Sequence, residues 1–309
     1  MYTLFTDSDT DMTPELCAKY GYKLISMPYT LDGKTVYPYV DFKEFDYHAF
    51  YDRLRKGNPL PSTSALPPQE YIDYFEPEFK EGRDILYVHF SAAMSGTFNS
   101  MRLALEELKQ KYPDRKVYEV DTKGITLGSL NICLEIGEMY KAGKSIEEIL
   151  KWAEVEVDKF AIYFYVDNLQ FFHRSGRVGG FSAFFGNIIG IKPIINMDSK
   201  GTMQSCDKGR GKNQTFKKIL GYVKDLQEDM KDHKVLIGHS DCEEMADELI
   251  EMFKKEFGDE FQIEKHVVNP TAGSHCGPDG VGISFHAKHR EKLLKNGESV
   301  KKTLSFSFL

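Results

Sequence analysis

The chain has 309 residues, 40 Lys and Arg against 47 Asp and Glu, and a formal net charge of −7. That length fits one large core or two medium ones, with two α/β domains the better expectation. The acidic balance argues against nucleic-acid binding, which draws on basic surface to displace counterions.

Five Cys (Cys17, Cys133, Cys206, Cys242, Cys276) show no C-x-x-C and no zinc spacing, so they read as reduced intracellular thiols with no metal site. The sequence carries no G-x-x-x-x-G-K-[ST] and no G-x-G-x-x-G after a strand, so no cofactor is expected. Tyr2–Asp7 lacks a basic n-region and a long apolar h-region and reads as a strand, not a signal peptide. No apolar run approaches the roughly 20 residues of a transmembrane segment. A cytoplasmic protein is the expectation.

The first strand ends in Asp7-Ser8-Asp9-Thr10-Asp11. Thr13-Pro14 gives an N-cap and a Pro at the first helical position, so a helix follows. Lys23–Leu31 reads as a strand with a turn at Asp32-Gly33, Phe45–Lys56 as an amphipathic helix, Asn58–Pro68 as a Pro/Ser loop and Gln69–Phe79 as a helix. Asp84–Ser91 is an apolar strand, joined by Ser95-Gly96-Thr97 to a helix through Leu103, Leu105 and Leu108. Val117–Asp121 is a strand, with helices near Ile125–Lys141 and Ser145–Asp158. This alternation predicts a parallel sheet covered on both faces.

Composition shifts after residue 158, which divides the chain into an N-terminal α/β domain, 1–158, and a C-terminal α/β domain, 159–309. Ala161–Val166 reads as a strand, Asn168–Phe181 as a Gly-, Arg- and Phe-rich stretch, and Ser182–Ile189 as a short helix. Ile191–Met197 and Thr202–Asp207 read as a hairpin, and Lys212–Met230 as a helix. A strand at Val235–Asp241, a helix at Cys242–Phe257 and a strand at Gln262–Val268 follow. Asn269–Gly282 is Gly-rich and leads to a strand at Ile283–His286, and Thr303–Leu309 alternates as a closing strand would.

Five motifs carry chemistry, each with a plainer alternative. Ser95 with the N–H groups of Gly96 and Thr97 opens a helix, where free N–H groups and the dipole favour an anion; the alternative is an N-cap. Ser62, Thr63 and Ser64 present three hydroxyls on a Pro-bracketed loop, or cap the next helix. Gly273–Gly282 has four Gly in ten residues around Ser274 and His275, which suits close approach to a ligand or a structural turn. Phe181, Phe184, Phe185, Ile188, Ile189 and Ile191 read as core or as the wall of an acyl-chain pocket. Lys208-Gly209-Arg210-Gly211-Lys212 is a basic loop, either solvated or a docking point for an anionic partner.

The ordered set of motifs resembles the DegV family, which includes the fatty-acid-binding subunits of bacterial fatty acid kinases. The matching pieces are Asp7-Ser8, Ser62-Thr63-Ser64, Ser95-Gly96-Thr97, Arg174-Ser175-Gly176-Arg177-Val178, Ile191-Lys192-Pro193-Ile194-Ile195, Gly201, Gly209-Arg210-Gly211-Lys212 and Gly273-Ser274-His275-Cys276-Gly277-Pro278. The resemblance implies a two-domain fold with a long-chain fatty acid between the domains. It implies carboxylate contacts at Thr63, Ser95, Gly96 and His275, with Ser62, Ser64, Thr97 and Ser274 nearby. Arg177 and Arg210 would face a separate kinase catalytic subunit. Ala65-Leu66 stands where the family usually has Gln-Pro, which alters the shape of that loop.

The leading reading is therefore a non-catalytic lipid-binding subunit that presents a fatty-acid carboxylate for acyl phosphate formation in phospholipid synthesis. Transient contact with a membrane surface is compatible with it. The rival enzyme reading is a lipid-ester hydrolase with Ser95 as nucleophile and His275 as base. Against it, Ala93-Met94-Ser95-Gly96 is not a G-x-S-x-G elbow. A third reading is an interaction module without lipid.

Overall fold

Leu4 and Phe5 adjoin in sequence and pack into different cores, because successive strand side chains point to opposite faces. They lie in β1 (Tyr2–Asp7); β6 (Asp84–His89) repeats the pattern, with Leu86 and Val88 on the Leu4 side and Ile85 and Tyr87 on the Phe5 side. With β2 (Tyr22–Ile25) and β7 (Val117–Asp121) they form an all-parallel sheet in the order β2-β1-β6-β7. On one face α3 (Pro68–Lys80) and α4 (Thr97–Lys111) bury Phe75 and Met101. On the other lie α1 (Pro14–Tyr20), capped by Thr13 Oγ1 as the sequence suggests, and α5 (Leu127–Lys141). The structure is a computed structural model describing residues 2–57, 59–179 and 190–292.

Among the described residues the second large sheet has seven strands: β8 (Phe160–Tyr165), β9 (Val178–Gly179), β10 (Ile191–Met197), β11 (Met203–Arg210), β12 (Lys234–His239), β13 (Gln262–Val267) and β14 (Val281–His286). Their order is β13-β12-β14-β8-β10-β11-β9, mixed parallel and antiparallel. α8 (Gly211–Leu226) and α9 (Glu243–Phe257) bury Phe216 and Phe253 on its outer face. Its inner face meets α5, which is buried without interruption from Leu127 to Leu134. A helix apolar on all sides needs partners on all sides, and α5 has a sheet on each. The chain is thus an α/β protein with a parallel-sheet domain and a second α/β domain. Among the described residues no helix is long and apolar enough to cross a membrane.

A small antiparallel sheet, β4-β3-β5, joins β3 (Tyr29–Leu31), β4 (Lys34–Val36) and β5 (Ser62–Thr63). With α2 (Tyr47–Arg55) it bridges to the C-terminal half. Tyr51 OH donates to Val268 O at 2.9 Å, and Arg55 pairs with Asp241 and with Asp279. The remaining α-helices among the described residues are α6 (Ile146–Glu156), α7 (Gln170–Ser175) and α10 (Pro270–Cys276).

The local expectations differ from the structure in four places. The strand expected over Lys23–Leu31 breaks at Ser26-Met27-Pro28: the Met27 N–H bonds Ser8 Oγ at 2.9 Å, Pro28 has no N–H, and the chain passes to another sheet. The loop Asn58–Pro68 contains β5, since Ser62 and Thr63 pair with β3. The Gly-rich stretch after Asn269 is mostly α10, capped by Asn269 with Pro270 at the first turn. The basic loop 208–212 is a strand running straight into a helix. A Cβ on Gly209 would lie 2.7 Å from Thr215 Cα, so this glycine serves strand–helix contact, and Lys212 pairs with Glu248. The helix expected at Ser182–Ile189 and the strand at Thr303–Leu309 lie outside the described residues.

Candidate functional site

Four segments distant in sequence contribute to the lining of one cavity between the two large sheets. β5 brings Thr63, α10 brings His275, the turn before α4 brings Ser95, and the residues after α7 bring Arg177; all four line the cavity. Thr63 Oγ1 and His275 Nε2 lie 2.8 Å apart. Two ties hold these segments in place. Arg174 Nη2 donates to Pro61 O at 2.7 Å, fixing β5 from α7. The Leu66 N–H donates to Thr97 Oγ1 at 3.0 Å, fixing the same loop to the start of α4.

His275 carries no charge at neutral pH. Burial pushes its pKa down to about 4, and the nearby Arg177 and Arg174 add to the effect. A neutral imidazole offers one donor and one acceptor, and the hydroxyl of Thr63 can take either complementary role. Ser95 Oγ accepts from the Thr97 N–H at 3.2 Å, as a helix cap does, and still lines the cavity. Gly96 is exposed, and a Cβ there would meet no atom within 4 Å. The lining therefore includes the Thr63 and Ser95 hydroxyls, the His275 imidazole and the Arg177 guanidinium, groups able to hydrogen-bond a carboxylate.

Much of the rest of the lining is apolar, including Met27, Phe90, Ile162, Phe164, Phe172 and Val281. These side chains come from both large sheets and their connections. The space between the atoms is about 970 Å³, including the part open to solvent.

The other sequence-derived candidates fall in varied places. Ser64 lines the cavity, whereas Ser62 is exposed and outside the lining. Thr97 lines it too, but its hydroxyl is engaged by the Leu66 N–H and by Tyr71 OH at 3.0 Å. Ser274 is buried and its Oγ donates to Pro270 O at 2.8 Å, inside α10. Gly273 and Gly277 serve packing: a Cβ on Gly273 would lie 2.5 Å from Tyr51 OH, and one on Gly277 would strike the Phe171 ring. Ile191 is half-buried opposite Arg210 and is not among the described residues of the lining. Phe181, Phe184, Phe185, Ile188 and Ile189 lie outside the described residues. Arg177 is exposed at the cavity, while Arg210 is exposed where β11 meets α8, away from the lining.

A Ser–His hydrolytic pair is not assembled. His275 Nε2 meets Thr63 rather than Ser95, and among the described residues no carboxylate bonds His275 to orient it. Sequence reasoning missed the tie from Arg174, whose partner is a backbone carbonyl that no motif announces. It also missed Asp9, which lines the cavity while 7% exposed.

Comparison with known proteins agrees with this architecture. A DegV domain-containing protein of Clostridium perfringens is 31% identical over 290 residues, covering 94% of this chain and 99% of that protein. DegV of Bacillus subtilis, described as a fatty acid binding protein, superposes with a TM-score of 0.77 at 25% identity, covering 93% of this chain and 99% of the other. A DegV family protein of Thermus thermophilus, described by its fatty acid binding, has a TM-score of 0.80 at 24% identity over 93% of this chain and 99% of its own. The family model described as uncharacterised protein, DegV family, matches residues 1–288, and the chain belongs to the DegV family.

Proposed function

We propose that the protein binds one long-chain fatty acid, with its carboxylate at Thr63, Ser95 and His275 and its chain along the apolar cavity. The observation that carries this reading is the Thr63–His275 contact of 2.8 Å in the lining of a largely apolar cavity. The related proteins described as fatty-acid binders, one with stearic acid and one with heptadecanoic acid, support the same ligand class. Burying about 14 methylenes at roughly 0.8 kcal/mol each gives an upper bound near 11 kcal/mol, offset in part by lost ligand freedom. The tail thus supplies most of the affinity, and the polar end fixes orientation. Mass spectrometry of lipid extracted from natively purified protein tests the reading: one fatty acid per chain is expected, and protein that stays empty after incubation with stearic acid contradicts it.

The finer reading is that the bound carboxylate is presented to a separate ATP-dependent kinase. The exposure of Arg177 at the cavity supports it, since a guanidinium pairs bidentately with carboxylate or phosphate. The exposed Arg210 is a docking candidate away from the tail. Arg210→Ala should leave lipid loading intact and lower acyl phosphate formation in an assay with kinase and ATP. Unchanged phosphorylation would remove Arg210 from the docking surface.

A further inference from the structure

A second polar feature lies inside the cavity, apart from the Thr63–His275 end. Asp9 lines the apolar space and is 7% exposed, and its Oδ1 is buried with no hydrogen-bond partner. The adjoining Thr126 also lines the cavity, and its N–H donates to Asp9 O at 2.9 Å. Among the described residues no hydrogen bond is made by the Thr126 hydroxyl. Thr126 has φ 50° and ψ −127°, a conformation that a β-branched residue holds only when its surroundings impose it. Two neighbouring polar side chains thus face a cavity that otherwise suits hydrocarbon.

A plain alkyl chain leaves this pair unsatisfied, and a buried carboxyl without a partner is costly. The Asp9 carboxyl keeps its proton well above the ordinary carboxylate range, because of its burial and then of Asp7 and Asp11 beside it. It is then both a donor and an acceptor, the complement of an alcohol. Sites built around such a pairing reject the analogue that lacks the group far more strongly than apolar pockets reject an extra methylene.

The level of the subsite follows from α10. The turn Ser8–Thr10 packs by the start of this helix, where Asp11 Oδ1 accepts from Asn269 N and Nδ2, while His275 is in its last turn. Asn269, which holds Asp11, and His275 are between one and two turns apart on α10, roughly 9 Å, and Asp9 lies two residues before Asp11. We propose that Asp9 and Thr126 form a subsite for a hydroxyl on the carboxylate-proximal half of a bound fatty acid, so that the protein selects a hydroxylated acyl chain. This deepens the fatty-acid reading and rests on it.

The test uses the delipidated full-length protein, stearic acid, and stearic acids bearing one hydroxyl at successive carbons. One proximal isomer should bind at least about tenfold tighter than the distal isomers and no weaker than stearic acid. Asp9→Leu should reduce that proximal-to-distal ratio about tenfold, and Asp9→Asn, which keeps a donor and an acceptor, should preserve most of it. Thr126→Val gives an independent variant if Asp9→Leu does not fold, and it should also reduce the ratio. Stearic acid binding with no position-dependent preference in the wild type, or a preference indifferent to both substitutions, overturns the subsite alone. Failure of every acid to bind overturns the fatty-acid reading and the subsite with it.

Discussion

Thr63 and His275 are 212 positions apart in sequence and 2.8 Å apart in space. One lies on a two-residue strand of the smallest sheet and the other on the last turn of a seven-residue helix. Neither element is stable alone, so the pair reports the packing of α7, α10 and β5 as a unit. Thr63→Val and His275→Gln should each weaken fatty-acid binding about tenfold, the value of one hydrogen bond to a charged group. The double variant should lose less than the sum, because the two groups share a bond and a ligand. Calorimetric titrations of the four proteins measure the coupling.

The depressed pKa of His275 predicts a pH dependence of the ligand-free protein. Between about pH 6.5 and 4 the unfolded chain binds a proton that the folded site refuses, so stability falls as pH is lowered through this window. The contribution is about 3 kcal/mol when fully expressed. The stability difference between wild type and His275→Gln, measured by urea denaturation across this range, isolates it from other titrations. A difference that stays flat from pH 7 to about pH 4 would show that the imidazole is not held neutral.

Arg55 joins α2 to the C-terminal half through Asp241, whose side chain is 6% exposed, and through Asp279. Arg55→Ala leaves the buried Asp241 carboxylate with His48 Nδ1 as its remaining side-chain partner, and a loss of about 2–3 kcal/mol is expected from hydrogen bonds to a charged group. Hydrogen exchange should accelerate in Tyr47–Arg55 and in Ser62–Thr63 before it changes in Asp84–His89. Uniform acceleration would mean that α2 opens only with the whole fold.

Gly273 lies where α10 crosses Tyr51, and the hydroxyl oxygen of Tyr51 would be 2.5 Å from an added Cβ. Tyr51 is buried and its hydroxyl bonds Val268 O, so it has little freedom to yield. Gly273→Ala should cost about 1–3 kcal/mol and weaken fatty-acid binding by displacing His275. Thermal melts and binding of the same sample check both effects.

The regular elements of the fold were legible because their signals are local. Asp84–His89 carries its own apolar run, and Thr13-Pro14 is a cap with a matching first turn. What escaped were features decided by partners far along the chain. Met27 leaves its strand because Ser8 takes its N–H, and α10 was hidden by glycines that Tyr51 and Phe171 require. Thr63 and His275, which meet in the lining, stood out as candidates because hydroxyls, His and Gly cluster visibly in sequence. The described wall was not: Met27, Phe90, Ile162 and Val281 come one from each of several segments, and a cavity-lining apolar residue looks like any core residue.

Whether the polar end of the cavity holds a fatty-acid carboxylate is decided by calorimetric titration of delipidated protein with stearic acid. One molecule should bind per chain, and the paired substitution Thr63→Val with Ser95→Ala should weaken it at least about tenfold while leaving the melting temperature within a few degrees. Absence of binding, or equal affinity in the paired variant, would contradict a carboxylate held there.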